Sequence, residues 1–421
     1  PYYGYLPGAW DEVISWSDRG PTQLGVAKPD VVNIGSFAWS MLPVIHGLGD
    51  GAMTADIFGG TSEATPMTSG SVALLIAAYR ARHGSSPSPD MVKVMLKNYA
   101  RDLGHDPFTQ GAGQVDIYAA VKAVFEDSPI AYTYDSSRNL LENTGLSQEE
   151  LGIVLGETAD AQLYTGAMLP GESKTMSVVL EGSGSASIRA TYFALSAQES
   201  GAKYLDLGRA MVVDYATRSY YAGEGWVSVE DDTLYVNLSA SPVFRVLLPL
   251  DPAVFRDADM VSISVYYPYR FMDPMGRSGA YDYMLYAGVE LSLWADIYGY
   301  GVPVLPATAR ISYDIRLANV YHVDIGYPEA KLELTKQAIE GYLGTSLENT
   351  TVMPVLDLRF SRNYWYFYGG GVLPVHIVVQ KYSKEPWGWI SAPDHVELNG
   401  ATTINVSVAV PVDAKPGIYE G

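Results

Sequence analysis

Cysteine is absent from this 421-residue sequence. That removes disulfides, thiolate catalysis and cysteine-ligated zinc or iron–sulfur sites together. Basic residues are scarce: 27 Lys and Arg stand against 47 Asp and Glu, a formal net charge of −20. Such a surface repels phosphate backbones and anionic lipid, so nucleic acid is not an expected partner. Long apolar runs are missing too. The best, residues 72–79, falls far short of the roughly 20 residues needed to cross a bilayer, so no transmembrane segment is expected in this chain. A glycine period and a sustained heptad are both lacking, which excludes collagen-like and coiled-coil architectures. The 48% hydrophobic content excludes intrinsic disorder. Residue 1 is Pro, with neither initiator Met nor signal peptide, and residues 416–421 read as a turn leading into a strand. The chain is therefore expected to be an internal piece of a longer polypeptide.

Helical signals gather in the first third. Residues 61–83 form a mostly apolar stretch closed by Gly84, which predicts a buried helix with a glycine stop. Ser88-Pro89-Asp90 has a serine cap, a first-turn proline and an acid at the positive dipole end, and Met91, Val92, Met95, Leu96 and Tyr99 follow at helical spacing. A third helix is expected from Asp116, with Ile117, Ala120, Val121 and Val124 facing inward. Beyond residue 128 the period changes to two. Leu234 and Val236 alternate with Tyr235 and Asn237, as Ile404, Val406 and Val408 alternate with Asn405, Ser407 and Ala409. Strands of this kind bury one face and wet the other, as in antiparallel sandwiches. A weaker boundary falls near 330, where residues 328–344 look briefly helical.

One stretch carries chemistry: Phe58-Gly59-Gly60-Thr61-Ser62-Glu63-Ala64-Thr65-Pro66-Met67-Thr68-Ser69-Gly70. A Gly-Gly-Thr turn places Ser62 at a helix N-terminus, where unpaired N–H groups and the positive dipole end would meet a forming oxyanion. Taken alone, the same residues also read as a plain helix start, with Thr61 or Ser62 as its cap.

The string Gly60-Thr61-Ser62-x-Ala64-x-Pro66-x-Thr68-Ser69-Gly70 resembles the nucleophile motif of the subtilisin-like serine proteases, the subtilases. Upstream, Ser17-Asp18-Arg19-Gly20-Pro21 and Lys28-Pro29-Asp30-Val31-Val32 resemble that family's Ser-Arg-Gly-Pro and Lys-Pro-Asp segments. Downstream, Gly111-Ala112-Gly113 resembles its Gly-x-Gly segment. The later chain, with Leu247-Leu248-Pro249-Leu250-Asp251-Pro252 and Pro411-Val412-Asp413-Ala414-Lys415-Pro416-Gly417-Ile418-Tyr419-Glu420-Gly421, resembles the β-rich extensions of large subtilases of the pyrolysin and tripeptidyl-peptidase II type. The resemblance implies an α/β subtilisin-like partial catalytic domain followed by mostly antiparallel β-sandwich domains. Residues 1–128 would be the C-terminal part of the peptidase domain, 129–329 a β-rich accessory domain, and 330–421 an incomplete sandwich of the Ig or fibronectin-III kind.

The same resemblance implies a serine endopeptidase acting on polypeptides outside the cell or at its surface. Ser62 would be the nucleophile and the Ser62 backbone N–H one oxyanion donor. The family's aspartate, histidine and oxyanion asparagine precede the serine by more than this chain extends. None of the six histidines, at 46, 83, 105, 322, 376 and 395, stands in the expected context. The upstream half of the same protease is therefore an expected partner, and this fragment alone is expected to be inactive. The competing reading is a catalytically inactive structural or interaction component of a cell surface or envelope.

Glu63 and Met67 replace the family's usual Met and His. A carboxylate beside Ser62 would favour the imidazolium of the base and shift activity to higher pH relative to Glu63→Gln. No cofactor is required for this chemistry. Structural calcium is a family habit for which Asp56, Asp231 and Asp232 are candidates, although without the ligand spacing of a calcium loop they read as solvated carboxylates. Gly47-Leu48-Gly49-Asp50-Gly51 lacks the lysine and helix of a phosphate loop and reads as a turn. The aromatic runs at 364–368 and 387–389 read as sheet core or as a sugar or peptide platform. Three Asn-X-Ser/Thr triplets, at Asn237, Asn349 and Asn405, are candidate glycosylation sites.

Overall fold

The computed structural model describes residues 13, 17–35, 38–41, 55–147, 150, 158–214, 219–237, 243–266, 287–295, 310–312, 329–337, 340, 352–361 and 372–421. They fall into two units that are not consecutive in the chain: residues 17–193 together with 385–421, and residues 194–384 with the first 16.

The first unit opens with a hairpin of β1 (Ala38–Met41) and β2 (Ala55–Phe58). Helix α1 (Thr61–His83) follows and ends at Gly84, whose left-handed backbone lets its N–H reach Arg80 O. Helix α2 (Pro89–Asn98) starts at Ser88, whose side chain accepts from Met91 N, as the serine-proline start predicts. The short α3 (Pro107–Gln110) and α4 (Ile117–Glu126) are capped in the same way by Asp106 and Asp116. Leu75 and Ala78 of α1 pack with Val92, Met95 and Leu96 of α2 and Ala120 and Val124 of α4. The α2 and α4 positions are among those that the helical spacing picked out, whereas α1, expected to be buried throughout, is buried on one side.

Residues 111–115 explain the Gly-Ala-Gly string. Ala112 N donates to Asp30 O, Val32 N to Gly113 O and Val115 N to Val32 O, so two chain segments run backbone against backbone. A Cβ on Gly111 would lie 2.3 Å from Pro29 O, and one on Gly113 2.3 Å from Arg101 O. Only glycine fits at either place, and both have positive φ.

Strand β3 (Ile130–Tyr132), helix α5 (Asp135–Thr144) and the long β4 (Ser173–Ser187) continue this unit. The chain then enters the second unit through β5 (Thr191–Ser200), which pairs with a later strand, β16. From there it runs through β6 (Met211–Asp214), β7 (Ser219–Ala222), β8 (Val227–Glu230), β9 (Thr233–Asn237), β10 (Val243–Pro249), β11 (Met260–Tyr266), β12 (Ala287–Ala295), β13 (Arg310–Ser312), β14 (Glu329–Thr335), β15 (Val352–Ser361) and β16 (Val372–Pro386). One sheet has the order β13-β12-β15-β10-β6-β7 and another β14-β11-β16-β9-β8. The strand registers are antiparallel throughout both orders. Val246, Leu248, Leu356 and Leu358 from the first sheet share one apolar cluster with Leu234, Ile263, Val265 and Ile377 from the second. The helical look of residues 328–344 gives way at its start. Residues 329–335 are strand β14, where Leu334 is buried and pairs with Val261, so the local Ala/Lys/Leu/Glu/Leu alternation decides the structure.

The last segment returns to the first unit. Strand β17 (Ile390–Ser391) and β18 (His395–Ala409) complete a sheet of order β17-β18-β4-β3, in which β18 runs antiparallel to β4 from His395↔Ser187 to Ala409↔Ser173. Val178, Leu180, Leu398, Ile404 and Val406 form its apolar face.

Candidate active site

Ser62 is the second residue of α1. The preceding turn is fixed by Gly60, whose N–H donates to Gly35 O at 2.7 Å and whose carbonyl accepts from Glu63 N at 2.9 Å. Gly60 has φ 152°, a conformation that favours glycine. No side chain caps this helix. Ser62 is exposed, and neither its hydroxyl nor its N–H has a hydrogen-bond partner among the described residues. The oxygen thus stands free beside the amides and positive dipole of a 23-residue helix. Pro66 removes the N–H that would bond the Ser62 carbonyl. Downstream, Thr65, Thr68, Ser69 and Ser71 donate their hydroxyls to carbonyls one turn back. Asn33 Nδ2 reaches Thr68 Oγ1 at 3.1 Å and ties the strand-like segment 30–35 to the helix flank.

Glu63 goes the other way. It is 6% exposed, and its Oε2 has no hydrogen-bond partner among the described residues. Burial pushes the carboxyl's pKa up. Below that raised value Glu63 is neutral, so the electrostatic shift expected of a carboxylate beside Ser62 would set in only above it.

The middle of the helix, residues 72–79, is apolar on all sides. Leu75 is enclosed, whereas Leu74 is 59% and Met67 43% exposed, and Ala73, Ala77 and Gly70 are exposed with them.

The histidines take varied places. His83 is exposed at the end of α1 and packs on Tyr79, with ring centroids 4.2 Å apart. His105 is buried; His376, on β16, lies 3.4 Å from Thr233 Oγ1; His395 pairs with Glu397 at 2.8 Å. His46 and His322 lie outside the described residues, as do Gly47–Gly51, the aromatic run 364–368 and Asn349. Asp56 is on β2, and Asp231-Asp232 form the left-handed turn joining β8 to β9. Among the described residues no group of three His, Asp or Glu could hold a metal ion. Trp387 and Trp389 are packed rings: Tyr192, Trp387, Trp389 and Tyr419 follow one another at centroid distances of 5.8, 6.1 and 4.5 Å. Asn405 is exposed on β18 and Asn237 half-buried at the end of β9.

Sequence reasoning passed over a buried ion cluster. Lys97, on α2, has a side chain only 5% exposed, and its Nζ lies 2.6 Å from Asp30 Oδ1 and 2.7 Å from Asp160 Oδ1. Lys28 Nζ reaches Asp30 Oδ2 at 2.5 Å. Burial alone would raise the Asp30 carboxyl, but Lys28 and Lys97 outweigh it and hold the pKa at about 2. Burial likewise opposes the Lys97 charge, yet Asp160 and Asp30 carry its pKa above the ordinary lysine value. The Lys-Pro-Asp string was one signal for this cluster. Lys97, at a buried position of an amphipathic helix, was the other.

No helix among the described residues is long and apolar enough to cross a membrane. The family model of the subtilase family matches residues 9–113. Pyrolysin of Pyrococcus furiosus is 39% identical over 127 residues, which are 28% of this chain and 9% of that protein. The chain therefore spans about a tenth of the length of this relative. A solved carbohydrate-binding module, described as recognising mannan, is similar over 51% of this chain and 96% of its own, at 14% identity and a TM-score of 0.16. At that score neither a shared fold nor a shared ligand follows. The string around Ser62 and the Lys-Pro-Asp and Gly-x-Gly contacts all lie within residues 9–113, the stretch that matches the subtilase family.

Proposed function

We propose that this chain is the nucleophile-bearing part of a subtilisin-like serine endopeptidase, completed by an upstream segment of the same protease that supplies histidine and aspartate. The observation that carries the reading is the unfinished state of α1. A helical stretch that is apolar on every side, as residues 72–79 are, belongs inside a protein, yet Leu74, Ala73 and Ala77 of that stretch are uncovered, as is Met67 nearer Ser62. The upstream segment would cover that side and bring a base to the serine.

In the completed site Ser62 Oγ attacks a peptide carbonyl while the histidine takes its proton, and the aspartate orients the imidazole. The carbonyl oxygen becomes an oxyanion that the Ser62 N–H and the α1 dipole stabilise. The histidine then protonates the leaving amine, and water releases the acyl group by the same route. The substrate is a polypeptide and the setting extracellular or at the cell surface, which suits the acidic composition. Asn405, exposed on a strand, and Asn237 are the glycan acceptors of this reading, with Asn349 as a third. The antiparallel sheets serve as accessory sandwich domains, and any calcium is structural.

A fluorophosphonate probe applied to the protein with its upstream segment should label Ser62, and Ser62→Ala should abolish the label. No labelling of the folded protein would leave the inactive surface component as the better account. Residues 1–421 alone should show no proteolysis above the residual level left when a triad loses its base.

A further inference from the structure

We infer that Asp160, outside the residues that match the subtilase family, is a positioning residue for Ser62. The inference rests on Ser62 being the nucleophile and concerns how this chain holds it. Asp160 is fixed on the extension by a backbone pair with Thr133, N to O in both directions at 2.8 and 2.9 Å, and Thr133 Oγ1 donates to Ser177 O on β4. Its Oδ1 meets Lys97 Nζ, which also meets Asp30 Oδ1. From Asp30 the chain runs through only five residues to Gly35, and each part of that run is held. The Asp30 carbonyl accepts from Ala112, Val32 is bonded on both sides by residues 113 and 115, and Asn33 reaches Thr68 on α1. Gly35 O then receives the Gly60 N–H at 2.7 Å, two residues before Ser62.

The extension therefore grips one end of a short taut segment whose other end sets the nucleophile turn. Ala64 closes the same joint: a Cβ on Gly35 would be 3.2 Å from Ala64 Cβ and 3.0 Å from Gly60 O. An ammonium this deeply buried cannot lose one of two carboxylates without moving or drawing in water. Either response shifts Asp30, and the displacement runs along 31–35 to Gly60. Misplacing a nucleophile by a fraction of an ångström is enough to slow it.

The test uses the protein with its upstream segment and three variants: Asp160→Asn, Asp160→Glu, and Asp127→Asn as a control that breaks only the exposed pair with Arg82. Two readouts are taken, amide hydrogen exchange over 30–35 and 59–63, and the rate of fluorophosphonate labelling. Asp160→Asn should speed exchange in both stretches and slow labelling, each by about tenfold. Its kcat should fall with KM unchanged, Asp160→Glu should restore most of both, and Asp127→Asn should match wild type. Exchange over 59–63 within twofold of wild type in Asp160→Asn, or equally altered in Asp127→Asn, overturns the inference. Should Asp160→Asn fail to fold, Asp30→Asn/Lys97→Met/Asp160→Asn leaves no unpaired buried charge and is read against the same criteria. A wild type that exchanges as expected but takes no label would sink the hydrolase reading and leave the mechanical coupling intact.

Discussion

Ile263 on β11 and Leu74 on α1 are aliphatic side chains of similar size in equally apolar stretches, and they end in opposite situations. Ile263 is enclosed by the cluster that the two large sheets share, whereas Leu74 is 59% exposed. The described strands of the two sheets enclose one shared apolar cluster. The unit carrying α1 covers one side of that helix with α2 and α4 and leaves the other open. Where apolar packing runs out, that unit is held by a charged cluster. Among the described residues, the strands close around their core while one side of α1 stays uncovered.

The largest expected effect tests that contrast directly. Ile263→Ala should cost about 4 kcal/mol of the stability of the sheet unit, from lost transfer energy and the cavity left behind. Leu74→Ala in residues 1–421 should change stability by less than about 0.5 kcal/mol, since it removes mostly exposed atoms. With the upstream segment present, the cost of Leu74→Ala should rise to about 2 kcal/mol or more. Urea unfolding of both variants, with and without that segment, reads the difference. An unchanged Leu74→Ala value would mean that nothing covers α1.

Next in size is the clamp. Lys97→Met should lose about 3 kcal/mol, near the low end for breaking a buried pair, because the carboxylates left behind keep some solvent. Acid should reach the same cluster. The Asp30 carboxyl titrates at about 2 in the folded chain, below its ordinary 3.8. Its contribution is therefore complete above pH 3.8 and lost as the pH falls through 2. Thermal melts between pH 5 and pH 2 should show wild type losing about 2 kcal/mol more than Asp30→Asn. Lys97, with its raised pKa, adds nothing to that acid limb; its contribution fades only as the pH rises beyond the ordinary lysine value of 10.5. Parallel curves for wild type and Asp30→Asn would show that the carboxylate is not held by its lysines.

Local signals made α1, α2 and α4 legible but not α3 or α5, the latter standing where period two was expected. Ser88-Pro89 and Asp116 start α2 and α4, Gly84 ends α1, and the 3.6 period selects the side chains that pack. Period two marked β9 and β18, and the string around Ser62 marked the candidate site. What stayed illegible is non-local. Nothing in residues 395–409 announces that they lie along 173–187, since both stretches alternate like any strand with one wet face. Asp160 shows no pattern at all, and its role appears only when folding brings it to Lys97, 63 residues earlier. The opposite fates of Ser62 and Glu63 were hidden as well, because the string gives their order but not which side of α1 is covered.

The smallest effect bears on whether Ser62 is kept for chemistry or merely starts a helix. Three helices of this unit begin with a side chain that takes up an orphan amide. Ser88 accepts from Met91 N at 3.3 Å, Asp106 from Thr109 N at 3.0 Å and Asp116 from Ala119 N at 2.9 Å. Helix α1 has Gly60 at that place and no side-chain cap. Ser88→Ala should therefore cost about 1 kcal/mol. Ser62→Ala should cost nothing, or gain a few tenths of a kcal/mol from the better helix propensity of alanine. Denaturant midpoints measured side by side decide it. Equal losses would make Ser62 one more capping residue; a loss at Ser88 alone fits a hydroxyl that folding does not need, with amides beside it left open for an oxyanion.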